Sequence, residues 1–227
     1  MATWLSLVNL TRLECGVTTT ELTTLANLTG KDLQIKNWVN RAWMDVQRAR
    51  IDWLWMRKSF SFVTVANQAT YTPTEAGATD LGEWLPSTFR TRITAQGYNT
   101  EQFLEQCGWD YYRNTYGFGS QISVTGRPTV FTVQPNSSLT FWAKPDAATY
   151  TVTGDYAAKA TAFAAEDEVP AMPDQFVDII MHKAKIYYGQ EEAASEVFQA
   201  GSVDYARMLT DLLHDQSPSI DFGGALA

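Results

Sequence analysis

The sequence predicts an α+β fold. A helical scaffold, built from an N-terminal long helix and two C-terminal helices, carries an inserted antiparallel β-rich domain and a flexible C-terminal arm. Three observations lead there. Apolar residues recur at steps of three and four near both ends of the chain, the period of one helix face. Across the middle they alternate with polar ones, the period of a half-buried strand. The links between those strands are too short for helical crossovers, so the strands pair mostly antiparallel. The parts are 1–58, the N-terminal helical part of the scaffold; 59–158, the β-rich insertion; 159–215, the C-terminal helical part; and 216–227, the arm.

The elements follow in order. Trp4, Leu5, Leu7, Val8, Leu10 and Leu13 mark a short helix ending near Gly16, followed by a threonine-rich link. From Lys31 to Lys58 the stripe Ile35, Val39, Ala42, Val46, Ala49, Trp53 and Met56 predicts one long amphipathic helix, widened by Trp38, Trp43, Leu54 and Trp55. Phe60, Phe62 and Thr64 alternate with Ser61, Val63 and Val65 as a strand. The stretch Thr72–Pro86, with Pro73, Gly77, Gly82 and Pro86, reads as loop. Phe89–Thr94 alternates again, with Arg90 and Arg92 on one face. Phe103 and Leu104 fit a further strand, and Trp109–Tyr116 a turn or two of helix.

Three strands come next, Thr129–Val133, Leu139–Trp142 and Tyr150–Tyr156. The first two are joined by the turn residues Pro135-Asn136-Ser137-Ser138. After the acidic run Glu166-Asp167-Glu168, Pro173 suits the first turn of a helix that buries Phe176, Ile180, Ala184 and Tyr187, with Gly189 placed to cap its end. A last helix, about Glu191 to His214, lines up Ala194, Val197, Gly201, Tyr205, Met208 and Leu212. Gly201 in that stripe costs about 1 kcal/mol against alanine, which points to close helix–helix approach.

The charge is polarised along the chain. Residues 31–58 hold seven Lys/Arg against three Asp/Glu, whereas residues 159–227 hold four against twelve, a balance of −8 that equals the net charge of the whole protein. Such polarity fits an assembling part better than a free enzyme. An acidic chain is a poor nucleic-acid binder, because phosphate affinity comes mainly from Lys and Arg. An acidic wall that repels phosphate nonetheless suits a passage for DNA.

The sequence offers no positive case for catalysis, a cofactor or a metal. The two histidines, His182 and His214, fall on predicted helices, and His214 sits in a last turn where it favours the helix dipole. Gly117-Phe118-Gly119 lacks the third glycine and following helix of a dinucleotide loop. Glu166-Asp167-Glu168 reads as solvated or as favourable to a helix N-terminus, with metal binding the lesser alternative. Cys15 and Cys107 form no C-x-x-C and read as reduced core residues, as expected in a reducing cytosol. No apolar run approaches the ~18 residues of a membrane span, and Met1–Ser6 lacks a basic leader.

With these residues in view, the chain resembles the head-to-tail connector (adaptor) proteins of tailed bacteriophages. The likeness runs in order over about residues 25–215. It begins with Trp38-Val39-Asn40-Arg41-Ala42-Trp43 and Ile51-Asp52-Trp53-Leu54-Trp55-Met56-Arg57-Lys58 leading into the first strand. It continues through Gly126-Arg127-Pro128-Thr129 and Tyr150-Thr151-Val152-Thr153-Gly154-Asp155-Tyr156, and ends with Val169-Pro170-Ala171-Met172-Pro173 and Tyr187-Tyr188-Gly189.

The resemblance implies a structural virion protein, made in the host cytoplasm and placed in the neck of the particle. It would form a ring of about twelve copies below the portal protein, joining the capsid to the next tail or neck component around a channel for DNA. A ring needs two different complementary surfaces on each copy. Arg41, Arg48 or Arg57 of one copy meeting Glu191, Glu192 or Glu196 of the next would supply them; equally, these charges pair within one chain or face water. Trp84 and Phe118, set among Gly and Pro, are expected to contact the tail, and Ile220, Phe222 and Leu226 of the arm to contact the portal. A tail-tube or tail-completion subunit is the nearest alternative. A carbohydrate-binding module or tail-associated glycosidase fits less well, given the long helices and the lack of a recognisable carboxylate pair.

Overall fold

The computed structural model describes residues 2–217. Its fold is mixed α+β, with helices α1 (Trp4–Glu14), α2 (Gly30–Arg48), α3 (Trp109–Thr115), α4 (Asp178–Glu191) and α5 (Ser195–Asp215). The strands are β1 (Arg57–Val63), β2 (Thr70–Tyr71), β3 (Leu81–Ile93), β4 (Gln102–Phe103), β5 (Glu105–Gln106), β6 (Val130–Val133), β7 (Leu139–Trp142) and β8 (Tyr150–Ala158). The chain divides into two compact units, one of Met1–Trp55 with Ala160–Ala227 and the other of Met56–Lys159.

In the first unit α4 packs against α1, α2 and α5. Ile35, Val39, Ala42, Trp43 and Val46 of α2 are buried, as their spacing requires. The predicted long helix is shorter than expected: α2 stops at Arg48, and the chain turns back. The cause is Trp53, which is fully buried and donates its indole N–H to the carbonyl oxygens of Val46 (3.1 Å) and Gln47 (3.0 Å). The Val46 carbonyl also accepts the N–H of the cap residue Ala49 at 3.3 Å, and the Gln47 carbonyl lies in the last turn, beyond the reach of a donor within the helix. The side chain that seemed to prolong the stripe therefore ends it. Arg57 and Lys58, read as helical, begin strand β1 instead.

The link after β8 is core as much as connection. Phe163 stacks between Trp4 and Trp43, with ring centroids 5.5 Å and 5.7 Å away. Asn40 Oδ1 accepts its backbone N–H at 2.9 Å. The acidic run serves α1: the carbonyl oxygens of Glu168 and Glu166 accept from the N–H groups of Trp4 (2.9 Å) and Leu5 (3.0 Å), both unpaired within the helix. Its carboxylates hold nearby backbone too, Glu166 accepting from Leu25 N–H at 2.7 Å and Glu168 from Ala164 N–H at 2.7 Å.

Gly189 does not cap α4. It lies inside the helix, where an added Cβ would sit 2.7 Å from Phe198 of α5. The chain reverses instead at Ala193, in the left-handed region at φ 52°. Gly201 makes the matching approach from α5, as its place in the stripe predicts, within 3.1 Å of His182 O for such a Cβ.

The second unit is built from two four-stranded sheets, ordered β1-β8-β3-β4 and β2-β7-β6-β5, antiparallel except where β5 meets β6. They share one core of Phe60, Phe62, Phe89, Val152 and Tyr156 from the first sheet and Tyr71, Phe131, Leu139 and Phe141 from the second. Leu104, buried between β4 and β5, carries the chain from one sheet to the other. The stretch Thr72–Pro86, read as loop, is loop up to Asp80, but Leu81–Pro86 forms the first half of β3. Pro86 falls where the β3–β8 register breaks, between Leu85 and Arg90, the one kind of place in a sheet that tolerates proline.

Candidate assembly surfaces

The helical unit carries most of the charged positions singled out above. Arg41 lies with its guanidinium 4.6 Å from the ring centre of Tyr187, and Lys183 stands 5.4 Å from the same ring. Tyr187 donates its hydroxyl to Asp45; burial, then that hydrogen bond, push its pKa well above the ordinary phenol value. Arg41 is thus held on its own chain by a cation–π contact. Arg48 is more open, 60% exposed at the side chain, and its carboxylate neighbour Asp45 is 4.0 Å away.

Among the acids, Glu192 is paired with Lys31 of the same chain. Glu191 and Glu196 are exposed, and neither has an ion pair among the described residues. Arg57 lies in the other unit and pairs with Asp155, its Nε donating at 2.9 Å. The structure therefore separates the six charges: Arg57 and Glu192 are matched within the chain, Arg41 is stacked, and Arg48, Glu191 and Glu196 are presented to solvent.

The aromatic positions separate as sharply. Trp84 is 4% exposed, T-stacked on Phe60 and Phe89, and donates its indole N–H to Ser137 O at 2.8 Å. It fills the core, which corrects its reading as a tail contact: its loop-like Gly and Pro neighbours belong to a bulged strand. Phe118 is 60% exposed and stands with exposed Tyr111, Ile122 and Val124 around one loop. That loop has a firm base. Gly126 N–H donates to Lys144 O at 2.8 Å, and Lys144 N–H donates back to Val124 O at 3.1 Å. Arg127 follows and donates to the carbonyl oxygens of Thr91 and Thr100, which explains arginine in the Gly126-Arg127-Pro128 motif. Ile220, Phe222 and Leu226 lie outside the described residues.

Histidine and cysteine side chains are few in this chain. His182 lies on α4 with Nδ1 buried, unbonded and 3.8 Å from Asp204; burial lowers its pKa. Cys15 is buried, which raises its thiol to about 12. Among the described residues no cluster of three or more His, Cys, Asp and Glu could hold a metal ion, and no helix is long and apolar enough to cross a membrane.

Exposed charge on the helices and an exposed apolar loop on the second unit offer surfaces for contact with other proteins. The chain belongs to the SU10 adaptor protein family, whose model matches residues 2–221. The match is consistent with the phage adaptors that the sequence motifs resemble, and the family implies a structural component of a virion with a non-enzymatic role. No curated protein matches it.

Proposed function

We propose that the protein is a head-to-tail adaptor: about twelve copies close into a ring below the portal protein, join the capsid to the tail and leave a channel through which DNA passes without sequence-specific contact. The observation that carries this reading is the family match over nearly the whole chain. Three features fit it. Arg48, which is 60% exposed with Asp45 4.0 Å away, and the exposed Glu191 are unlike charges presented to solvent on one unit, and they suit a head-to-tail contact between identical copies. The Phe118 loop offers an apolar contact to the next tail or neck component. The apolar residues of the C-terminal arm, Ile220, Phe222 and Leu226, suit a segment that orders on the portal.

The test is the mass of the purified protein with and without its cognate portal. A ring seated on the portal is expected, and truncation after Gln216 should weaken it. A protein that remains single beside an intact portal overturns the reading.

A further inference from the structure

The outer face of the β1-β8-β3-β4 sheet forms a groove of about 620 Å³. Its floor is made of short side chains, Ser59, Ser61 and Thr153. One end holds Arg57 with Asp155. At the other Arg92 stacks 4.0 Å from the ring centre of Tyr98 and Arg90 stacks 4.7 Å from that of Phe103. Tyr98 and Phe103 are 74% and 66% exposed. Arg92 has no ion pair among the described residues.

Strand β8 serves as a ruler for these charges. Arg57 is opposite Ala157 and Arg92 opposite Thr151, on the two strands flanking β8. Six residues of rise and two strand spacings put the two arginines about 22 Å apart. Asp155 lies two residues in from the Arg57 end, about 7 Å along the strand.

Helix α5 carries the converse pattern. Gly201 and Leu212 are buried, Gly201 against α4. Glu196, Val203, Arg207 and Asp211 lie on the opposite, exposed face, with Val203 68% exposed at its middle. Glu196 and Asp211 are separated by about 22 Å of helix. Arg207 lies one turn, about 6 Å, in from Asp211.

We propose that this groove is the docking site for α5 of a second copy of the chain, with Asp211 beside Arg57, Arg207 beside Asp155 and Glu196 beside Arg92. Val203 then sits over the serine and threonine floor. The opposite orientation is disfavoured, because it sets Arg207 beside Arg90. In the single chain Arg57 is bonded to the partly buried Asp155 and Arg207 lies 3.5 Å from Asp204; with 44% and 72% of their side chains exposed, both arginines can take a further carboxylate neighbour while keeping the one they hold. The inference rests on the reading that copies of this chain assemble, and it names the surfaces that meet.

Full-length protein carrying Arg92→Glu or Glu196→Arg, followed by sedimentation across a concentration range, tests it. Each change is expected to weaken self-association by about tenfold, and the combined variant to recover it, as coupled neighbours do. Ser61→Cys protein mixed with Val203→Cys protein should give a disulfide-linked pair of chains when dissolved oxygen is supplied as the oxidant, and neither protein alone should; circular dichroism checks that both variants are folded. Singles that associate like wild type, a combined variant no better than either single, or wild type that stays monomeric overturns the proposal. So does normal self-association with lost portal or tail attachment, which would assign the groove to a different virion protein. Portal co-sedimentation of the Arg92→Glu protein reads the adaptor assignment separately.

Discussion

Gly189 of α4 faces Phe198 of α5 so closely that a methyl group on the glycine would come within 2.7 Å of the Phe198 backbone nitrogen. Nothing flexible lies in the way to yield. Gly189→Ala should therefore lower unfolding stability by about 2 kcal/mol, overpacking outweighing the better helix propensity of alanine. Gly201→Ala meets its neighbours at 3.0 Å or more and should cost less. Denaturant unfolding of both variants checks the order.

Trp53→Phe keeps most of the buried ring but removes the donor shared by Val46 and Gln47. Val46 O keeps its bond from the Ala49 N–H, so the Gln47 carbonyl is the one left without a partner, at a cost of about 1–3 kcal/mol. Urea unfolding should show the loss, and hydrogen exchange should place it at the C-terminal turn of α2.

Acid should weaken the helical unit through Glu166. The Leu25 N–H, and then the Thr24 hydroxyl, hold its carboxyl below the ordinary 4.5. A carboxylate with a depressed folded pKa contributes fully above its unfolded value and loses that contribution as pH falls through the folded one. Wild type should therefore lose more thermal stability than Glu166→Gln between neutral pH and pH values below 4.5. Equal losses would assign the acid sensitivity to other groups.

Charge reversal tests the ring contact. Arg48→Glu leaves only a 4.0 Å contact to Asp45 behind, so folding should be unaffected while ring formation on the portal fails. Adding Glu191→Lys should restore rings. Arg48→Glu rings that form normally at moderate salt rule this pairing out.

The Phe118 loop gives a second surface test. Phe118→Ser with Ile122→Ser removes exposed apolar area, 60% and 44% exposed, without touching the core. Rings should form as in wild type, and tail attachment in reconstituted particles should drop. Unchanged attachment excludes the loop from that contact.

Much of this molecule was legible before folding, because one-dimensional period reports local burial. The buried face of α2, the alternation of β1, the β6–β7 hairpin and the close approach at Gly201 all follow from spacing. Of the face read for α4, Ile180 and Ala184 are buried, whereas Phe176 lies in a 3-10 turn before the helix and Tyr187 is only partly buried. The misreadings share one cause. Trp53 continued the period of α2 yet ends that helix, Gly189 occupied a capping position yet serves a contact, and Pro86 marked a loop yet sits in a bulge. In each case a contact that the local period does not report decides the role: Trp53 folds back on Val46 and Gln47, Gly189 meets Phe198 of the next helix, and Pro86 faces a break in the pairing with β8.

The same division holds for the surfaces. Sequence alone determined the α+β class, the uneven distribution of charge and the motifs of the adaptor family, since each is a property of residue order. Only tertiary structure decided which charges remain available, because that depends on neighbours: Glu192 is neutralised by Lys31, Arg57 by Asp155, and Trp84 vanishes into a core while Phe118 stays outside. It also brought Arg57, Arg90 and Arg92 from two strands onto one face, a pattern visible only once β8 has set their register.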